Sequence, residues 1–231
     1  MANKYLPINI AAKKFRTLVV GGGAVALRKV ETLIDYESDL TVVAPEPGDK
    51  ISYHASKGRI KLETRKYNTP EAAEYGLVIS ASNDEAVNRQ VYEDCQKAGV
   101  LVNVVDNPKL CTFIFPAVLK RDALTLSIST DGKAPFLAAH LRIIMENLFP
   151  GHWKKIVKLA ADFRKKVQAR HGDDPKERFA SLDRFLEANW KELIKVKNDD
   201  ELQAELDLLL EPVEEPEEEI EEDAGGNGNR N

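Results

Sequence analysis

Residues Thr17-Leu-Val-Val-Gly-Gly-Gly-Ala-Val-Ala26 run an apolar strand straight into a glycine turn and then a helix, which restricts the possible folds more than any other stretch. Gly21 allows the tight turn, Gly23 lets the backbone come close to a phosphate, and Ala26 is small enough for the helix to pack on its strand. Unpaired N–H groups at such a helix start, with the helix dipole behind them, attract an anion such as a dinucleotide's pyrophosphate. The same residues also suit a plain strand-to-helix turn. A second apolar strand at residues 40–44, at βαβ spacing, favours the dinucleotide.

Apolar runs and helical periodicity alternate along the first half of the chain. Strands are predicted at 16–20, 40–44, 60–64, 77–80 and 100–105, with helices at 24–36 and 84–98. This is the order of a parallel, doubly wound sheet of the Rossmann type. Ligands of such sheets lie beyond the carboxyl ends of the strands, so residues 21–23, 44–46, 80–83 and Asp106 are expected to face one crevice. After Pro116 the pattern changes to a strand at 124–129, the turn Thr130-Asp-Gly-Lys-Ala-Pro135 and a helix at 136–148. Pro150-Gly151 breaks that helix, and 153–170, 176–194 and 200–210 read as further helices. The expected architecture is α/β: a Rossmann-type domain over 1–112, a small α+β region over 113–149 and a helical domain over 150–210.

Asp106 closes the last strand and precedes Asn107-Pro108. A carboxylate there can take a proton across the crevice from a nicotinamide, although Asp-Asn-Pro also builds an ordinary Asx turn. Ser80-Ala-Ser82-Asn83-Asp84 precedes a helix, where short polar side chains cap; the same groups could bond a ribose. The acid expected on the adenosine ribose is displaced, since the second strand ends in Ala44-Pro45 and Glu46 follows late, so NAD over NADP is only a preference. Lys154, Lys155, Lys158, Arg164, Lys165, Lys166 and Arg170 make one helix strongly basic, as a solvated face or as an attractor of a polyanionic substrate. His140 and His152 lie where they could touch substrate, or are structural.

Charge and cysteine usage narrow the function classes. The segment 211–231 holds nine acids and one arginine, leaving 32 basic against 29 acidic side chains in 1–210. The tail has nothing to bury and is expected to be disordered, while the body is mildly basic. Few aromatics interleave with the basic residues, which argues against nucleic acid. Cys95 and Cys111 lack ligand spacing, so no metal site or disulfide framework is expected. No run is long enough to cross a bilayer and the first residues do not resemble a signal peptide, so a cytoplasmic protein is expected.

Several pieces occur in a specific order: Leu6-Pro7-Ile8, Val20-Gly-Gly-Gly23 with Arg28-Lys29, Ala81-Ser-Asn-Asp84 with Val87-Asn88, Asn103-Val-Val-Asp106 with Pro108, Phe113-Ile114 with Pro116, and Ser127-Ile-Ser129 before Gly132 and Pro135. Over roughly residues 4–190 this set resembles the precorrin-2 dehydrogenase and sirohydrochlorin ferrochelatase family, the dehydrogenase and chelatase part of siroheme synthases. The resemblance implies NAD-dependent oxidation of precorrin-2 to sirohydrochlorin, with insertion of ferrous iron in some members. It places the catalytic carboxylate at Asp106 and cofactor contacts at Gly23, Ala24, Val25, Pro45 and Glu46, beside the cofactor candidates Gly21, Ser82 and Asn83 read above. Substrate contacts are expected at Thr130, Lys133, His140 and Arg142, and Lys109, Lys120 and Arg121 are further candidate partners for the substrate's carboxylates. A homodimer through 113–149 is also implied. The family's Ser-Ser-Gly-Gly turn, whose second serine is phosphorylated in bacterial siroheme synthases, reads Ser129-Thr130-Asp131-Gly132 here, and the methyltransferase domain of fused members has no counterpart in these residues. Competing expectations are an NAD(H)-sensing regulatory module without turnover and a chelatase with a vestigial cofactor site.

Overall fold

A computed structural model describes residues 4–211. The chain forms two compact units, one running to Ala117 and resuming over Ser127–Arg142, the other made of Val118–Leu126 and the described residues from Ile143 onward. The division falls inside the stretch 113–149, so that stretch belongs partly to each unit.

The first unit is built on β1 (Arg16–Val20), β2 (Asp39–Val43), β3 (Lys61–Glu63), β4 (Leu77–Ser80) and β5 (Leu101–Val104), with helices α1 (Ala24–Asp35), α2 (Asp49–Ser56) and α3 (Glu85–Ala98). The five strands are parallel in the order β3-β2-β1-β4-β5, so the chain reverses direction across the sheet between β1 and β4. Register pairs Val20 with Val43 and with Ser80, and Ser80 with Val104, so these four strands end level with one another. The loops that follow them therefore share one edge, where doubly wound sheets bind ligands.

Both faces of the sheet are buried, as a parallel sheet requires. Leu18, Val20, Val78, Val102 and Val104 pack with Val91 and Cys95 of α3 on one face. Val19, Val42 and Ile79 pack with Ala26, Val30 and Leu33 of α1 and Ile51 of α2 on the other. Helix α3 starts where the Asp84 carboxylate accepts from the N–H groups of Ala86 and Val87, and stops at Gly99 in the left-handed region (φ 69°). Asp94, only 3 % exposed on α3, accepts hydrogen bonds from Tyr67 Oη (2.7 Å), Thr69 Oγ1 (2.7 Å) and Gln90 Nε2 (2.9 Å). Burial opposes its charge, yet these donors outweigh it and hold the carboxyl below its ordinary range.

Past the sheet come the hairpin β6 (Ala117–Arg121) and β7 (Leu124–Ile128) and helix α4 (Pro135–Leu148). The second unit continues with α5 (Trp153–His171), α6 (Pro175–Glu187), α7 (Trp190–Val196) and α8 (Asp199–Leu208). Its core joins Ile156, Leu159, Phe163 and Val167 of α5 to Phe185, Trp190, Leu202 and Leu206. Phe185 stacks between Phe163 (5.3 Å between centroids) and Trp190 (4.5 Å). Four of the basic side chains on α5 are paired with acids: Lys155 with Asp199, Lys165 with Asp162, Lys166 with Asp207, and Arg170 with Glu211.

The structure departs from the sequence expectations in three places. Helix α2 and strand β6 were not foreseen; α2 buries only Ile51 and so leaves almost no periodic trace. The helix expected over 176–194 is broken at Ala188 and Asn189, where the backbone leaves the helical region, extended at Ala188, and Trp190 Nε1 donates back to Phe185 O at 2.7 Å. Arg121, a candidate for substrate carboxylates, donates to Phe149 O (2.8 Å) and Lys120 O (3.0 Å). The acidic tail, apart from Glu211, lies outside the described residues. Among the described residues no helix is long and apolar enough to cross a membrane.

Asp94→Ala strands three donors and is expected to lower stability by about 2–3 kcal/mol in urea denaturation at neutral pH. Because the folded-state carboxyl is depressed, its contribution is full above the unfolded carboxyl range and fades as pH falls below about 4, where the two stability curves should converge.

Candidate functional site

The glycine turn sits at the level edge of the sheet and touches the loops on both sides of it. Gly21 has φ 124°, donates to Val43 O at 2.9 Å, and would place a Cβ 2.4 Å from Ala81 O. A Cβ on Gly22 would lie 2.6 Å from Glu46 O and 2.8 Å from Pro47 Cα, and Gly48 N donates to Gly22 O at 3.0 Å. The turn is thus wedged between the loops after β4 and β2, with no room for a side chain at either position. Gly23 differs: a Cβ there meets nothing within 4 Å, and the residue caps α1 without a side chain to occupy its first N–H groups. Sequence reasoning divided the glycine roles between Gly21 and Gly23, whereas the closest backbone packing belongs to Gly21 and Gly22.

This open helix start fits a pyrophosphate. The first turn of α1 carries no acid, Ala24 is exposed and Val25 half-buried, and the nearest residues after β2, Pro45 and Glu46, are exposed. Ser82 is committed locally: its Oγ accepts from Asp84 N (3.1 Å), and its carbonyl accepts from Asn88 Nδ2 (2.9 Å). Asn83 beside it is exposed.

Asp106 follows β5 in the left-handed region (φ 60°), with its side chain exposed. An aspartate tolerates this conformation better than most residues, but it still has to be held there. The buried Cys111 thiol does much of the holding. It donates towards Val104 O (3.2 Å) and Asn107 O (3.3 Å) and accepts from Val104 N (3.3 Å), tying both sides of the Asp106 turn to one sulfur. Burial pushes that thiol above its ordinary range; burial also pushes Cys95 up to about 12, so neither is a ready nucleophile. Buried Asn103 donates through Nδ2 to Phe113 O at 3.0 Å, which sets the path of the following segment.

That segment carries Phe115, packed edge-on to Phe113 at 5.4 Å between centroids, and Lys29 Nζ of α1 lies 4.0 Å from the Phe115 centroid. Burial lowers the Lys29 pKa, the neighbouring Arg28 acts in the same direction, and the charges of Asp106 and Cys111 oppose them. Phe115 also lines a cavity of about 140 Å³ with Ile128, Thr130, Pro135 and Ala138. Thr130 Oγ1 accepts from Ala134 N at 3.1 Å. Lys133 and His140 are exposed and Arg142 half-buried, and none of the three belongs to that lining. A larger hollow of about 460 Å³ lies beside Thr69, Gln90 and Asp94, whose polar groups already bond one another.

The structure therefore joins the glycine turn, the 44–48 loop and the 80–82 loop directly, and Phe115, which carries the Lys29 ammonium, shares a cavity with Thr130. Lys29 and Phe115 received no role from sequence reasoning. A signal was present: Lys29 falls at helical spacing with the buried Ala26, Val30 and Leu33 of α1, an unusual place for a charge.

Residues 8–117 match the family described as "Putative NAD(P)-binding". The siroheme synthase of Methylococcus capsulatus is 37% identical over 189 residues, covering 82% of this chain and 40% of the relative. That of Nitrosomonas europaea is 36% identical over 211 residues, covering 91% of this chain and 44% of the relative. The chain thus spans less than half the length of these curated relatives. Among solved structures, SirC, precorrin-2 dehydrogenase, superposes with a TM-score of 0.73 at 22% identity, over 88% of this chain and 100% of that one, a likeness of fold.

Gly22→Ala and Gly23→Ala should separate packing from binding. The first forces a backbone clash and lowers the melting temperature, whereas the second leaves it within about 2 °C, since an exposed substitution without a clash changes stability little. Gly23→Ala should nevertheless weaken NADH binding about tenfold, or about 1.4 kcal/mol, by nucleotide fluorescence.

Proposed function

The chain is a homologue of the siroheme synthases with an NAD(P)-binding domain over residues 8–117, and from that premise we propose that it is an NAD-dependent precorrin-2 dehydrogenase that forms sirohydrochlorin. The observation that carries this reading is an exposed carboxylate, Asp106, on the strand-end edge that also holds the glycine turn. Bound NAD supplies the hydride acceptor. Gly21 and Gly23 and the backbone of Ala24 and Val25 hold its pyrophosphate, Pro45 and Glu46 adjoin the adenosine ribose, and Ser82 and Asn83 flank the nicotinamide side.

Removing two hydrogens from the reduced tetrapyrrole breaks one C–H bond, whose electron pair leaves as hydride, and releases one proton. Asp106 takes that proton. Its left-handed turn is held by Cys111, and the carboxylate on it is exposed. The substrate's acetate and propionate arms are anionic, which suits Lys133, His140 and Arg142 as contacts, with Thr130 at the cavity beside Phe115. Insertion of ferrous iron as a second substrate needs pyrrole protons removed, a task the same carboxylate could perform. We place the reaction in the cytoplasm.

A homodimer through 113–149 belongs to this reading. Helix α4 exposes Phe136 (79 %), Ile143 (50 %) and Leu148 (59 %), an apolar stripe unusual for a surface helix facing water.

Anaerobic incubation with precorrin-2 and NAD, followed by absorbance, should show NADH and sirohydrochlorin, and added ferrous iron should then show the metal-inserting step. Asp106→Asn should lose about 10²–10⁴-fold in turnover while still binding NADH. Unchanged turnover would remove Asp106 from the chemistry. Ile143→Glu should shift the species seen by light scattering from dimer towards monomer.

A further inference from the structure

Strand β3 ends level with β2: Val43 pairs with Glu63, and Ala44 N donates to Glu63 O at 3.1 Å. The loop after β3 therefore starts beside Ala44, on the edge that holds the glycine turn and the 44–48 loop. It carries Arg65, just past the strand. A guanidinium grips a phosphate through parallel hydrogen bonds, and an arginine on such an edge accommodates the 2′-phosphate that distinguishes NADP from NAD. Arg65 is not available for that task. A guanidinium has five N–H groups, and five bonds occupy them here. Nε donates to Glu63 Oε2 at 2.7 Å, and Nη2 is shared between Glu63 Oε2 and Glu71 Oε2, the latter at 2.6 Å. Nη1 donates to Glu71 Oε1 at 2.9 Å and to Lys66 O at 3.0 Å. Glu71 is fixed in turn, since its Oε1 accepts from Asn68 N at 2.7 Å.

We propose that Glu63 and Glu71 make the cofactor site selective for NAD over NADP by withholding Arg65 from the adenosine ribose. This rests on the assignment of that ribose to the 44–48 loop. A tie between loop residues needs one carboxylate; the second leaves the trio with a net negative charge. A 2′-phosphate arriving there meets carboxylates and no free guanidinium N–H, and each bond it gained from Arg65 would cost one that Arg65 already makes to an acid. Exposed Glu46, on the β2 side, adds charge of the same sign. Lys50 and Lys66 are exposed cations of these two segments, but an ammonium is a point charge without the guanidinium's fork. The acid missing from the end of β2 is thus replaced by exclusion from the neighbouring strand.

The test is binding of NADH and of NADPH to the full chain without substrate, read by nucleotide fluorescence. The parent is expected to bind NADH at least about tenfold tighter than NADPH. Glu63→Gln combined with Glu71→Gln keeps both shapes and the acceptor for Asn68 N while removing the charges. In that pair NADPH should gain about tenfold and NADH less than about twofold. Two lost acids also make the whole edge less negative, so Arg65→Met is added to the pair: the gain should vanish if the guanidinium supplies it. Glu63→Gln alone, at an exposed position, should give about a threefold gain and does not depend on the pair folding. A parent that binds both nucleotides equally, an unchanged NADPH to NADH ratio in the Gln variants, or a gain that survives Arg65→Met overturns the proposal. A parent that binds neither nucleotide removes the cofactor site and the proposal with it. Failure of the dehydrogenase assignment would appear separately, as no turnover of precorrin-2 by a parent that still binds NADH and discriminates against NADPH.

Discussion

Everything at the crevice depends on two glycines whose Cα atoms lie against other backbone. At Gly21 and Gly22 the chain passes between Ala81 O and Glu46 O at distances a Cβ would reduce to 2.4 and 2.6 Å. That double contact brings the ends of β1, β2 and β4 to one edge and sets the start of α1. The direction of α1 then determines where Lys29, six residues past its cap, meets the segment after β5. A close-packed turn thus acts at a distance, through the rigidity of the helix it launches.

The second frame is the stretch from Asn103 to Phe115. Three of its polar groups have specific partners: the buried Asn103 amide donates to Phe113 O, the buried Cys111 thiol bonds Val104 and Asn107, and the hydroxyl of exposed Thr112 accepts from Val102 N at 2.8 Å. Buried polar groups are costly unless satisfied, so a network this complete defines one conformation and excludes its neighbours. The unusual backbone of Asp106 persists because these partners surround it. An exposed acid on a stiff turn differs from an exposed acid on a loose one: it keeps its direction without help from substrate.

The helical unit is stabilised by different means. Stacked aromatic rings of Phe163, Phe185 and Trp190 fill its centre, and acids of α8 and Glu211 lie along the basic face of α5. Surface pairs of this kind add little stability, but they reduce the field that a run of lysines would otherwise project. The basic helix read from the sequence is therefore in part an internal partner of the chain's own acids.

Strands and helices of the sheet unit were legible because burial on both faces writes continuous apolar runs, and burial on one face writes a 3.6-residue period. The glycine turn, the level strand ends and the place of Asp106 followed from that order, since parallel register leaves few alternatives. Helix α2, which buries a single side chain, left no such trace. The break at Ala188 and Asn189 was hidden as well, because the bond from Trp190 to Phe185 that stabilises it is a tertiary choice among residues that all favour helix. The local code of the chain determined most of its elements, their order and the edge that the strand ends share. Only the tertiary structure decided that Gly22 is the tightest neighbour of the β2 loop, that Cys111 locks the Asp106 turn, and that Lys29 lies over Phe115. Periodicity reports which face of an element is buried, whereas the contacts of Gly22 with the β2 loop and of Lys29 with Phe115 join residues far apart in sequence and the Cys111 bonds close an aperiodic turn, so their geometry exists only once the sheet has set the distances between its loops.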